Sequence, residues 1–121
     1  MDTNAIAQQL VSLCRAGKFH EAISTLYADD VVSVEAMAPP GGSREMTGIQ
    51  AVLGKGEWWT ANHEVHSAVI EGPLVAGAHF AVTFIFDITQ KQSGQRMLMQ
   101  EIGVYQVASG KIVREEFFYA M

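Results

Sequence analysis

The sequence predicts an α+β fold, with helices packed on one face of a curved mixed sheet. Three observations carry this. Helical periodicity is confined to the first half of the chain. Four long segments of β pattern follow one another after Asn62. The links between those segments are short, which makes them an antiparallel meander.

The elements follow in order. From Asn4 to Ala16, Ile6, Leu10, Val11, Leu13 and Cys14 recur at helical spacing, with Gln8, Gln9, Ser12 and Arg15 opposite. Thr3 or Asn4 is the expected cap, and Gly17 the expected stop. A second helix, Lys18 to about Tyr27, shows Phe19, Ala22, Ile23, Leu26 and Tyr27 on one face. Ala28-Asp29-Asp30 reads as a turn, and Val31–Met37 as a short β-branched strand. Ala38-Pro39-Pro40-Gly41-Gly42-Ser43 is a loop. Thr47-Gly48-Ile49-Gln50 has capping-box form and opens a third helix running to about Ala61, weakened by Gly54 and Gly56. The β segments are about His63–Glu71, Ala78–Gln90, Gln95–Ala108 and Lys111–Tyr119, and Ser109-Gly110 is a two-residue hairpin turn.

Composition bounds the function. The 121 residues make one expected domain over 1–121, large enough for a single core. Charged residues are 17%, below the usual ~25%, which points to surface hidden by a partner or wrapped around a pocket. A net charge of −5 argues against a nucleic-acid backbone binder. No apolar run reaches the ~18 residues of a membrane helix, and the start lacks a signal-peptide pattern, so a cytoplasmic location is expected. The lone Cys14 excludes an internal disulfide and reads as inert core.

Strand arithmetic then proposes a pocket. Phe80, Val82, Phe84, Phe86 and Ile88 alternate onto one face. If Lys91–Gly94 is the hairpin loop, Phe86 opposes Met99, Phe84 opposes Glu101, and Val82 opposes Gly103. The inner face of the next strand is then Met97, Met99, Glu101, Gly103, Tyr105 and Val107, with Glu101 its one charge and Gly103 leaving room beside it. Across the Ser109-Gly110 turn, Val107 opposes Ile112, and Arg114, Glu116 and Phe118 share the inner face. A slip of one residue substitutes Glu115, Phe117 and Tyr119. The same arithmetic places His63, Val65 and Val69 inside and Glu64 and His66 outside, with a bulge invited by Gly72-Pro73.

An apolar concave face thus gathers Glu101, Glu116, Arg114 and His63, with Glu35 from the first strand. Phe84, Met99 and Trp58 supply apolar lining, and Trp58 and Trp59 read as core and lid. A carboxylate desolvated among Phe and Met has a raised pKa and serves as an acid or base near neutrality. Glu101 is the candidate base, with His63 or Tyr119 donating to a developing oxyanion. The competing reading makes Glu101 and Arg114 a buried ion pair in a non-catalytic ligand-binding or interaction module. His63 and His66, three apart on a strand, face opposite ways, so no metal is expected, and the glycine pairs carry no nucleotide-binding pattern. The opposite sheet face, with Ala81, Thr83, Ile85, Leu98, Ile102 and Val104, is apolar enough to predict a homodimer through it.

Tyr27-Ala28-Asp29-Asp30-Val31-Val32, Thr47-Gly48-Ile49-Gln50-Ala51-Val52, Trp58-Trp59-Thr60-Ala61-Asn62-His63-Glu64-Val65-His66 and the closing Ser109-Gly110-Lys111-Ile112-Val113-Arg114-Glu115-Glu116-Phe117-Phe118-Tyr119 carry a resemblance. Over nearly the whole chain it resembles the SnoaL-like branch of the nuclear transport factor 2-like superfamily. The resemblance implies a cystatin-like cone, a curved sheet wrapped around the N-terminal helices with a pocket inside, and dimerisation through the outer sheet face. It implies a cofactor-independent lyase, isomerase or cyclase acting on a small, mostly apolar molecule, or a relative that only binds one. Cyclases and the ketosteroid isomerase of this superfamily use a pocket aspartate as base. Asp87 falls on the predicted outer face here, so Glu101 or Glu35 takes that role.

Overall fold

The computed structural model describes residues 1–120. The chain runs α1 (Thr3–Arg15), α2 (Phe19–Leu26), β1 (Tyr27–Val34), β2 (Glu45–Thr47), α3 (Ile49–Asn62), β3 (His63–Ala76), β4 (His79–Gln90), β5 (Arg96–Ala108) and β6 (Lys111–Phe118). The strands form one curved, unclosed sheet in the order β2-β1-β6-β5-β4-β3. β1 lies parallel to β6, and every other neighbouring pair is antiparallel. No helix among the described residues is long and apolar enough to cross a membrane.

The core lies between the helices and one sheet face. Phe80, Val82, Phe84, Phe86 and Ile88 alternate into it from β4, as their spacing predicts. Ile6, Ala7, Leu10, Val11 and Cys14 meet them from α1, and Ala22 and Leu26 from α2. Arg15 ties α1 down, donating from Nε and Nη2 to the carbonyl of Ile70 at 3.0 and 2.9 Å. The β4–β5 register is the expected one, with Phe86 opposite Met99, Phe84 opposite Glu101 and Val82 opposite Gly103.

Several local expectations change. Asp2, not Thr3 or Asn4, caps α1, its carboxylate accepting from the Ala5 amide at 2.8 Å. Ala28-Asp29-Asp30 is not a turn. α2 passes straight into β1 at Tyr27, because Tyr27 and Val31 both bury while the two aspartates stay exposed along an irregular stretch of strand. Thr47 does not cap α3. It pairs with Val32 in β2, an edge strand too short to show a period in sequence, and Gly48 takes the cap position at φ 101 with no side-chain bond. β1 therefore sits beside the last strand as expected, but β2 lies outside it.

Three bulges, two in β3 and one in β6, reset the sheet faces. β3 continues through Gly72-Pro73 to Ala76, and its register shifts at His66 and again between Glu71 and Leu74. The first shift turns Ala68 and Ile70 inward opposite Phe86 and Phe84, and sends Val69 outward opposite Ile85, against expectation. In β6, Val107 pairs with Ile112 across a tight turn in which Ser109 and Gly110 both have positive φ. The next pair is Gln106 with Arg114, so Val113 is the extra residue. From there the slipped register holds. Glu115 and Phe117 face inward opposite Tyr105 and Gly103, whereas Arg114 and Glu116 pair with the outward-facing Gln106 and Val104.

Gly103 does not leave open space. A Cβ there would stand 2.9 Å from both Cε2 and the hydroxyl of Tyr105. That ring is buried and stacks on Phe80 at 4.7 Å, so it has nowhere to retreat. Glycine inside a strand ordinarily costs ~0.5–1 kcal/mol relative to alanine. Here the steric conflict reverses the sign. Gly103→Ala should destabilise the fold by about 1–3 kcal/mol, as overpacked core substitutions do. Denaturant unfolding measures this, and an unchanged or higher midpoint would contradict the packing described.

Candidate active site

The reset of β6 brings a polar cluster onto the otherwise apolar inner face. Ser33 near the end of β1, Glu115 of β6 and Lys55 of α3 converge there, joined by Glu35 just past β1, Tyr119 just past β6 and Glu101 of β5. Parallel pairing of Ser33 with Glu115 and Val34 with Glu116 puts Ser33 and Glu115 side by side. Beyond Ile102 opposite Phe118, the next positions outward are Glu101 and Tyr119, so these two share one end of the inner face.

Glu115 is the deepest charge, 2% exposed. A buried carboxylate is tolerated only when its oxygens are hydrogen-bonded. Tyr27 donates to its Oε1, Ser33 donates to its Oε2 at 2.6 Å, and Lys55 Nζ stands 3.9 Å from that same oxygen. Burial pushes Glu115 above the ordinary carboxylate range, while Lys55, Ser33 and Tyr27 pull it back. The Tyr27 and Tyr105 hydroxyls, buried against this carboxylate, are held well above the usual tyrosine value, desolvation being the larger cause.

Lys55 is the hub. Its ammonium donates to Ser33 Oγ and to Glu35 Oε1, both at 2.7 Å, and lies 5.3 Å from the centre of the Phe117 ring. Tyr119 donates to the other oxygen of Glu35 at 3.1 Å. Glu35 is thereby doubly held. Glu101 is not: among the described residues it has no hydrogen-bond or ion-pair partner. Desolvation, and then the nearby negative charge of Glu35, raise its pKa to about 7, only partly offset by Lys55. Phe84 lies opposite it and Met99 beside it on the same face. The arrangement is a half-buried carboxyl group able to take or give a proton near neutral pH, beside a lysine that neutralises one neighbour.

Of the residues expected in the pocket, Glu101, Glu35, Tyr119, Phe84 and Met99 come together. Arg114 and Glu116 do not. The extra residue in β6 turns both to the opposite face, where Arg114 pairs with Glu116 at 3.4 Å and Arg44 reaches Glu116 at 3.8 Å. No Glu101–Arg114 pair forms. His63 lies opposite Gln90, six positions along β4 from Phe84, which is about 20 Å of strand from the Glu101 level. Its ring stacks on Trp59 at 4.5 Å, and its Nδ1–H donates to the Trp59 carbonyl at 2.8 Å. Trp58 is 62% exposed and lines no part of the cluster, while Trp59 packs on Phe86. Asp87 is on the outer face as expected, held by Arg96 through two bonds of 3.0 and 2.9 Å, which keep its carboxyl below the usual range.

Lys55 and Ser33 are not marked out by the sequence, and Glu115 enters there only as the inner residue of the one-residue slip. Lys55 is the one basic residue of α3 and lies three positions after Val52, the one buried residue of that helix. That spacing was the available signal. Two surface depressions lie elsewhere. One of about 320 Å³ separates α2 from α3 beside Phe19, Ile23 and Leu53, and one of about 220 Å³ lies beside Leu74, His79 and Val104. Neither is lined by Glu101 or Lys55.

The model of the SnoaL-like domain matches residues 1–119. Among solved structures, a candidate SnoaL-like polyketide cyclase from Mesorhizobium loti, also described as a carbohydrate phosphatase, is 41% identical, with a TM-score of 0.93 over 98% of this chain and 100% of that one. A candidate isomerase from Bacillus subtilis is 17% identical, with a TM-score of 0.76 over 99% of this chain and 90% of that one. A protein with a ketosteroid isomerase-like fold from Catenulispora acidiphila, solved with trimethylamine, is 21% identical, with a TM-score of 0.74 over 95% and 88%. The last two likenesses concern the fold alone. No curated protein matches the sequence. The fold, the length matched and the 41% identical relative agree that the chain belongs to the SnoaL-like domain family.

Proposed function

We propose that the chain is a cofactor-independent proton-transfer catalyst, a lyase, isomerase or cyclase, acting on a small and mostly apolar carbonyl compound. The observation that carries this reading is Glu101, a half-buried carboxyl group opposite Phe84 with no hydrogen-bond or ion-pair partner among the described residues, its pKa raised to about 7 by desolvation and then by Glu35. Its ionised form abstracts a proton from carbon next to the carbonyl. Lys55 and the Tyr119 hydroxyl, both gathered at Glu35, are the groups nearest to hand for the negative charge that develops on oxygen. Phe84 and Met99 hold the apolar part of the substrate. The 41% identical relative is described as a candidate polyketide cyclase, which supports chemistry of this kind. The competing role, a structural Glu101–Arg114 pair in a binding module, loses its partner to the other face of the sheet.

We also propose a homodimer through the outer sheet face. Val69, Leu98, Ile102 and Phe118 are large apolar side chains left exposed there. A contiguous patch of this kind is uncommon on a monomer and is most simply covered by a second copy through a two-fold contact.

Two measurements follow. Deuterium uptake from D₂O into an apolar ketone such as 2-tetralone, followed by NMR, should be accelerated by the protein. The rate should rise as pH passes through about 7, where Glu101 becomes the base. Glu101→Gln should keep the fold and lower the rate by ~10²–10⁴, and equal rates for the two proteins would reject Glu101 as the base. Light scattering at micromolar concentration should give twice the chain mass of 13.2 kDa, and a clean monomer would reject the dimer.

A further inference from the structure

The helix that supplies Lys55 is built more weakly than its neighbours. α1 buries five residues and has a side-chain cap, whereas α3, with 14 residues, buries only Val52. Gly48 opens α3 without a capping bond, no acidic residue sits in its first turn and no basic residue in its last. Nothing there complements the helix dipole.

Its two interior glycines flank Lys55. At Gly54 a Cβ would meet nothing within 4 Å, and at Gly56 only Ile23 Cδ1, at an ordinary 3.8 Å. Packing therefore does not require glycine at either position. Each disfavours the helix about fivefold relative to alanine. The ends, by contrast, are tied down. The Gly48 amide donates to the Val31 carbonyl at 2.8 Å, the Lys91 amide donates to the Asn62 carbonyl at 3.0 Å, and Trp59 is clasped by His63 and Phe86. The weak turn lies between two anchors and holds Lys55, the one cation of the carboxylate cluster among the described residues.

We infer that the Gly54-Lys55-Gly56 turn of α3 is a gate. It opens locally between its anchored ends, withdrawing the Lys55 ammonium from Glu35, Ser33 and Glu115 and uncovering the inner face around Glu101. Closure restores the 2.7 Å contacts to Glu35 and Ser33, so entry of a small molecule and assembly of the charged cluster are one motion. The gate rests on the reading of this cluster as the site, but its opening is observable without any substrate.

Native-state hydrogen exchange on the full chain, residue by residue at low denaturant, tests it. Amides of the Gly54–Glu57 turn should exchange at least tenfold faster than those of Leu10–Cys14 in α1, through an opening nearly insensitive to denaturant, as expected for a local event. In Gly54→Ala, Gly56→Ala the opening of this turn should become roughly twenty-five-fold rarer. Two results would overturn the gate. One is wild-type α3 amides that follow the same denaturant dependence as α1 and β4, so that α3 opens only by global unfolding. The other is an opening of this turn that the two alanines leave unchanged. Either would leave Glu101 free to act as a base in a permanently formed site, and loss of the Glu101 activity alone would leave the gate standing.

Discussion

Among the described residues, the Lys55 ammonium of α3 is the one positive charge set against three carboxylates, Glu35, Glu101 and Glu115, at the inner face of this sheet. Lys55 is within 4 Å of Glu35 and Glu115, and Glu101 lies close enough for its charge to be felt. One ammonium cannot neutralise all three. Glu115 is held by Tyr27 and Ser33, and Glu35 by Lys55 and Tyr119. Glu101 is the group left over, and desolvation by burial, with the negative charge of Glu35 added, makes it hold its proton to a higher pH than an ordinary carboxyl group does. The chemistry proposed for the chain is a consequence of that unequal division.

The division depends on a single inserted residue. Val113 adds one position to β6 after Ile112, and every later side chain changes face. Without it, Arg114 would stand on the inner face and Glu115 on the outer. Arg114 would then stand opposite Tyr105 and bring a second positive charge to the inner face, which would favour ionised carboxylates there. With the bulge, Arg114 meets Glu116 outside, Glu115 enters the core beside Tyr105, and Phe117 turns its ring toward Phe84 and Lys55. A backbone irregularity thus decides which charges share the inner face with Glu101.

Much of this was legible in the residues and some was not. The β4–β5 hairpin could be paired to the residue, because Phe80 to Ile88 alternate strictly and the loop at Lys91–Gly94 fixes the count. That alone placed Glu101 opposite Phe84. The Ser109-Gly110 turn was equally legible, yet the bulge behind it was not. Val113-Arg114-Glu115-Glu116 carries no alternation to show which carboxylate faces inward. Glu115 is buried because Tyr27 and Ser33, more than eighty residues earlier in the chain, supply its hydrogen bonds. Such a partnership leaves no local pattern. β2, with three residues, was too short for a period, and Lys55 was hidden in a helix with little amphipathic contrast.

The central claim is that Glu101 is the unpaired member of the cluster, and its own titration tests that most directly. Side-chain carboxyl carbon shifts of Glu101, followed by NMR from pH 3 to pH 9 in the wild-type chain and in Lys55→Met, report it. The account predicts a wild-type midpoint at about 7, and a higher midpoint when the neighbouring positive charge is removed. A midpoint near the ordinary glutamate value of ~4.3, unmoved by the loss of Lys55, would contradict it.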